Sequence, residues 1–208
     1  VIEFGDFPDP RTADEDGLVA IGGDLSPERL LAAYRSGIFP WFQREGIVFW
    51  FCPIQRLVLF PEEVKVSRSM KQMLSSKRFT VTENRAFREV ITGCAAHHEA
   101  TKQSTWIDPM FIRAYCEMHR LGYARSIEVW EGEKLVGGLY GITTGQLFSG
   151  ESMFSRVSNA SKVALIHLCR EGGYKLIDCQ VPTHHLQSMG ARVVHRDHFL
   201  KLVRQYGN

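Results

Sequence analysis

Three apolar runs follow one another closely between residues 124 and 154: ARSIEVW, KLVGGLYGITT and QLFSGESMF. The first two meet across the polar stretch EGEK, and the last two meet across Gly145. Runs rich in β-branched and aromatic residues, separated by so few turn-forming residues, predict a hairpin extended by a third strand. A helix is expected next, from about Ser158 to Arg170, stopping before Gly172 and Gly173. KLIDCQV then reads as a strand, HHLQSMG as a short helix, ARVV as a strand and HFLKLVRQY as a closing helix. Upstream, Asp108 can cap a helix over Pro109–Leu121 that ends at Gly122, with Phe111, Ala114, Tyr115 and Met118 as its buried stripe. Helix, meander, helix, strand, helix and strand make a mixed α+β domain.

The first sixty residues are rich in Gly, Pro and aromatics. One helix is clear there, with Ser26 as N-cap, Pro27 at its first position, Gly37 at its end and Leu30, Leu31 and Tyr34 as its apolar stripe. GIFPWF then leaves Trp41 on a constrained loop, and Pro53 and Pro61 bracket the strand-like run LVLF. A boundary near Pro61 divides the chain into a small N-terminal α+β domain, 1–61, and a larger domain, 62–208. The chain opens at Val1 and is expected to begin inside the native N-terminus.

Two acids stand out in apolar strands. In KLIDCQ, simple alternation puts Ile177 and Cys179 on one face, and Leu176, Asp178 and Gln180 on the other. A buried Asp is costly unless paired, so either a structural partner satisfies Asp178 or that face borders a wet cavity. Glu151, between Gly150 and Ser152, needs a donor or a ligand for the same reason.

Charge narrows the partners. The net charge of +2 excludes a global polycation, yet Val64 to Arg88 holds seven basic residues against one acid, Glu83. Such a strip is either a solvated surface or a footprint for a polyanion. Five widely spaced cysteines without a C-x-x-C pair argue against a disulfide framework and point to a reducing cytosol. No run approaches membrane-spanning length. No H-E-x-x-H, no Cys/His zinc spacing, no Walker loop, no G-x-G-x-x-G after a strand and no G-x-S-x-G is present, so no metal and no cofactor is expected.

GLVAIGGDLSPERLLAAYRSGIFPWF, TWIDPMFIRAYCEMHRLGYARSIEVW, LVGGLYG, LFSGESMFSRVSNASKVAL and LIDCQ…HLQSMGA together resemble the bacterial leucyl/phenylalanyl-tRNA–protein transferases, from about Gly17 to Val194. The resemblance implies a small N-terminal domain packed on a GNAT-like acyltransferase domain with a mixed, mostly antiparallel sheet, using no acyl-CoA. It implies transfer of Leu or Phe, and also Met, from aminoacyl-tRNA to proteins whose N-terminal residue is Arg or Lys, which creates a degradation signal. The chain is then expected to be a cytoplasmic monomer.

Carried over by position, Trp41 and Trp106 would hold the 3′ adenosine. Phe148, Gly150, Met153 and Ile177 would line the pocket for the transferred side chain, with Leu139 and Tyr115 also touching substrate. Leu139 replaces the Met of some members, a nearly volume-conserving change. Glu151, Asp178 and Gln180 match the polar centre. Asp178 is expected to position the amine and draw off its proton or to bind the adenosine end instead, Gln180 to align Asp178 or the ester carbonyl, and Glu151 to hold the donor's free amino group or the acceptor's basic side chain. Lys65, Arg68, Lys71, Lys77 and Arg78 would hold tRNA phosphates. The segment FWFCPIQR departs from the family's W-W-S-P-D-P-R, keeping only Trp50, Pro53 and Arg56. Two other readings stand beside this one. An acyl-CoA-dependent N-acyltransferase of the same fold would need a glycine-rich loop that SRVSNASK lacks. A non-catalytic RNA-binding module would leave the two acids and Gln180 without a role.

Overall fold

A computed structural model describes residues 7–100 and 107–207. Ten strands and seven α-helices occur in it: β1 (Leu18–Ile21), α1 (Pro27–Arg35), β2 (Phe39–Arg44), β3 (Ile47–Phe51), β4 (Gln55–Leu59), α2 (Arg68–Ser75), β5 (Thr80–Glu83), α3 (Phe87–Ala100), α4 (Pro109–Arg120), β6 (Ala124–Glu131), β7 (Lys134–Thr144), β8 (Leu147–Ser155), α5 (Ala160–Glu171), β9 (Leu176–Gln180), α6 (His184–Ser188), β10 (Arg192–His195) and α7 (Arg196–Tyr206). Among the described residues no helix is long and apolar enough to cross a membrane.

The strands form two sheets. A small antiparallel sheet has the order β1-β3-β2, and a seven-stranded sheet has the order β10-β4-β9-β8-β7-β6-β5. In the large sheet every neighbouring pair is antiparallel except β8 and β9, which run parallel because α5 carries the chain back between them. The architecture is the α+β arrangement with a mixed, mostly antiparallel sheet that the resemblance implied. The chain passes from the small sheet to the large one between Phe51 and Gln55. The strand at 55–59, upstream of Pro61, is therefore hydrogen-bonded into the large sheet.

Alternation along β7 separates two cores. Leu139 belongs to the core beneath α5, with Val163, Leu165 and Phe148. Tyr140 and Ile142 face the other way, into a core built with α1, α3, α4, α7 and the small sheet. Gly137 lies where α5 comes closest, and a Cβ there would stand 2.5 Å from the Ala160 methyl. Only glycine lets helix and sheet approach so closely.

Local rules explain several boundaries. Asp108 Oδ1 accepts from the Met110 and Phe111 N–H groups and so caps α4. Ser26 occupies the N-cap position of α1, but its hydroxyl makes no cap bond; Asp24 Oδ1 accepts from the Ser26 N–H instead. Gly37 ends α1 with φ +77°.

Two features differ from the sequence-based expectation. Trp41 lies in strand β2, not on a loop. Pro40 within that strand is tolerated because β2 is an edge of its sheet and its register with β3 shifts there. Helix α3 is the second, because its start has no cap signal in the adjacent sequence. The fully buried Glu128 on β6 accepts from the Arg85 and Ala86 N–H groups, and from the hydroxyls of Thr82 and Ser126. The backbone donors that lead into the helix are thus met by a strand some forty residues later.

Candidate active site

Beyond Ser149 and Asp178 the parallel pairing of β8 with β9 stops. Just past that point both strands carry an irregularity. On β8 the register to β7 moves from Gly150 to Ser152 across one step, so Glu151 is the extra residue of a bulge. On β9 the register to β4 moves from Asp178 to Gln180 across one step, and Gln180 adopts φ +62°. Bulges re-aim side chains, and a non-glycine residue at positive φ is uncommon. Together they open a cleft between two strands that would otherwise be zipped shut.

That cleft is the mouth of a cavity of about 470 Å³. Its apolar wall is made by Leu139, Phe148, Met153, Leu165, Leu168 and Ile177. Gly150 lies in the wall, where a Cβ would meet the Asp178 carbonyl at an ordinary 3.5 Å. Trp41 and Pro40 of the small sheet close one side. Polar groups gather at the rim: Glu151, Gln180, Ser152, His98 and His185.

Glu151 is the hub of the rim. Tyr34 Oη donates to Glu151 Oε1 at 2.7 Å, Tyr115 Oη to Oε2 at 2.8 Å, and Gln180 Nε2 to Oε1 at 2.7 Å. Burial lifts the Glu151 carboxyl to about 7, against the pull of these donors and with the Asp178 charge adding to the rise. Burial, then the Glu151 charge, pushes the hydroxyls of Tyr34, Tyr115 and Tyr140 well above the ordinary tyrosine range.

Asp178 does not belong to the rim. Its oxygens accept from Arg56 Nε at 2.7 Å and Arg56 Nη2 at 2.6 Å, and both side chains are only 1% exposed. The Arg56 guanidinium is held between the rings of Phe39 and Phe199, 4.6 and 4.4 Å from their centroids. The expected contact of Asp178 with an incoming amine is therefore corrected. The left-handed turn at Gln180 breaks the alternation, so Gln180 swings to the cavity while Asp178 stays on the opposite face. The two remain linked, because the Gln180 N–H donates to Asp178 Oδ1 at 2.9 Å.

Tyr115 is corrected in the same way. It is fully buried, its hydroxyl is spent on Glu151, and it does not line the cavity. Trp106 lies outside the described residues. Lys65, Arg68, Lys71, Lys77 and Arg78 are all exposed on or beside α2. Arg78 shares its charge with Glu131 at 2.6 Å.

Three residues carry weight here that sequence reasoning missed. Arg56 and Tyr34 act through partners 122 and 117 residues away, which no local pattern announces. His98, whose Nε2 lies 3.1 Å from Ser152 Oγ, sits on the unforeseen helix α3.

The family model for the leucyl/phenylalanyl-tRNA protein transferase matches residues 58–204, and the model of that family's N-terminal domain matches 23–54. The chain belongs to the leucyl/phenylalanyl-tRNA protein transferase family. A protein of that name from Syntrophobacter fumaroxidans is 54% identical over 96% of this chain and 86% of its own length. Another, from Flavobacterium johnsoniae, is 50% identical over 95% of both chains. Among solved structures, FemX shares the fold, with a TM-score of 0.50 at 11% identity over 81% of this chain and 66% of its own. In this transferase the step between the two matched regions, residues 55–57, falls on β4, the strand that supplies Arg56.

Proposed function

We propose that this transferase moves Leu or Phe, and also Met, from aminoacyl-tRNA to the N-terminal Arg or Lys of proteins, acting as a monomer in the cytoplasm and marking its targets for degradation. The observation that carries the reading is an apolar cavity that has Glu151 and Gln180, hydrogen-bonded to each other, in its lining. An aminoacyl ester would place its side chain among Leu139, Phe148, Met153 and Ile177. Its carbonyl and ribose oxygen would then lie at the rim, with Trp41 beside the terminal adenosine. The exposed cations Lys65, Arg68, Lys71 and Lys77 would contact phosphates and so bind the tRNA body with little regard for its sequence. Arg78 is the weakest of these candidates, because Glu131 already neutralises it.

The chemistry asks little of the protein. The ester is already activated, and the acceptor α-amine, with a pKa of about 8, is partly neutral near pH 7. Its nitrogen attacks the carbonyl carbon, the C–N bond forms, the bond to the ribose oxygen breaks, and one proton passes from nitrogen to that oxygen. Gln180 can orient the carbonyl or the amine through its amide. Asp178 acts from beneath as a positioning residue, by holding the Gln180 backbone. An apolar wall separates ligands differing by one methylene by only about 1–3 kcal/mol, which fits use of several donors.

Incubating the protein with Phe-tRNA and a peptide starting with Arg should give a peptide heavier by one Phe residue, read by mass spectrometry. The same peptide with an acetylated N-terminus should stay unchanged. Absence of product with the free peptide would overturn the reading.

A further inference from the structure

The oxygens around Glu151 form a closed triangle. Besides the two bonds from Tyr34 and Tyr115 to the carboxylate, the Tyr34 and Tyr115 hydroxyl oxygens lie 2.5 Å from each other. Three oxygen–oxygen contacts need three protons, one in each gap. Two tyrosines supply only two, and both keep theirs because burial and the neighbouring acid hold them well above the ordinary tyrosine range. With an ionised Glu151 both hydroxyls would donate to the carboxylate. Their oxygens would then face each other across 2.5 Å with no proton between, which is repulsive. A third proton, on the carboxyl, lets the hydrogen bonds run head to tail around the ring.

We propose that Glu151, Tyr34 and Tyr115 form a proton store for aminoacyl transfer, closed when Glu151 is protonated and ready to take the acceptor amine's proton when it is ionised. This rests on the reading of the site as the transfer centre. The amine's N–H proton passes to the Glu151 carboxylate as the C–N bond forms. The same proton then goes to the ribose oxygen as the C–O bond breaks, and Glu151 returns to its ionised form. Tyr34 and Tyr115 are positioning residues, since neither lines the cavity.

The surroundings suit a group that changes charge near neutrality. Gln180 from β9 donates to Oε1, and Asp178 on the same strand adds negative charge from below. That charge is largely offset by Arg56 of β4. Tyr140 of β7 is a buried neutral neighbour, and Cys94 and His98 of α3 face the adjacent Ser152. A carboxyl lifted to about 7 by burial matches the acidity of a base meant to work at that pH.

Infrared titration of the free protein in heavy water tests the store without any substrate. Near pH 6 the wild type should show the carbonyl band of a protonated carboxylic acid, fading as pH rises through about 7 and absent from Glu151→Gln. A wild type with no such band would overturn the proposal. The second arm is the pH dependence of single-turnover transfer in Tyr34→Phe, with Tyr115→Phe as the alternative variant. Removing one hydroxyl opens the ring and takes away one donor, so the pH–rate profile should be displaced along the pH axis, each unit of displacement changing the rate on its acid limb about tenfold. The acceptor's own titration is common to both proteins and cancels in the comparison. Superimposable profiles would overturn the proposal. If the band is present while the wild type transfers nothing, the reaction reading fails and the proton store does not.

Discussion

Changing Arg56 to Met should destabilise the fold by about 3–5 kcal/mol, the usual cost of removing one member of a buried ion pair. The reason is the position of Asp178. It is 1% exposed, and its two oxygens receive Arg56 in a forked pair. Without the guanidinium the carboxylate keeps only the Gln180 N–H within a site walled by Phe39 and Phe199. For a chain of this size each kcal/mol moves the melting temperature by about 2–4 °C, so thermal unfolding reads the loss easily. Arg56→Lys should fall between, since a lysine keeps the charge but not the fork. Replacing both partners, as Arg56→Met with Asp178→Leu, should recover most of the stability, because an apolar pair of similar size avoids the desolvation cost. The recovered protein should still transfer poorly, because the Gln180 N–H has lost its acceptor. A single Arg56→Met variant melting with the wild type would show that the pair does not hold this corner of the sheet.

Gln180→Ala should cost transfer about 10²–10³-fold in kcat, the range found for loss of one preorganised polar group at a reacting carbonyl. Its amide is the group of β9 that reaches both the cavity and Glu151. The backbone there separates function from stability. At φ +62° an L-residue pays about 1–2 kcal/mol that glycine does not. Gln180→Gly should therefore unfold at higher denaturant than Gln180→Ala while being equally inactive. Stored strain at a working residue is the pattern expected when geometry is held for chemistry. If Gln180→Ala transfers at the wild-type rate, the amide has no part in the reaction.

How far the sequence reveals this arrangement depends on the range of the forces involved. Elements set by local rules were legible. Asp108 caps α4 through its own side chain, and the strands from 124 to 155 follow their alternation. The two acids were conspicuous because carboxylates in apolar strands demand partners. What those partners are was not legible. Asp178 is satisfied from β4 and Glu151 from α1 and α4, by residues whose sequence surroundings look like ordinary packing. The face of Gln180 was misread because alternation assumes extended backbone, and one left-handed residue reverses it. The small sheet was hidden by Pro40, which marks a loop unless the strand is known to be an edge. Helix α3 was hidden because the backbone donors that lead into it are met by Glu128 on another element.

The central claim is spatial: transfer happens where β8 and β9 part, above the apolar cavity and away from Asp178. A crystal structure with a non-hydrolysable aminoacyl-adenosine analogue carrying phenylalanine addresses it most directly. The account predicts the phenyl ring against Phe148, Met153 and Ile177, the carbonyl within hydrogen-bonding reach of Gln180, and the Arg56–Asp178 pair undisturbed beneath. An analogue seated elsewhere, or an Asp178 released from Arg56 to touch it, would contradict the account.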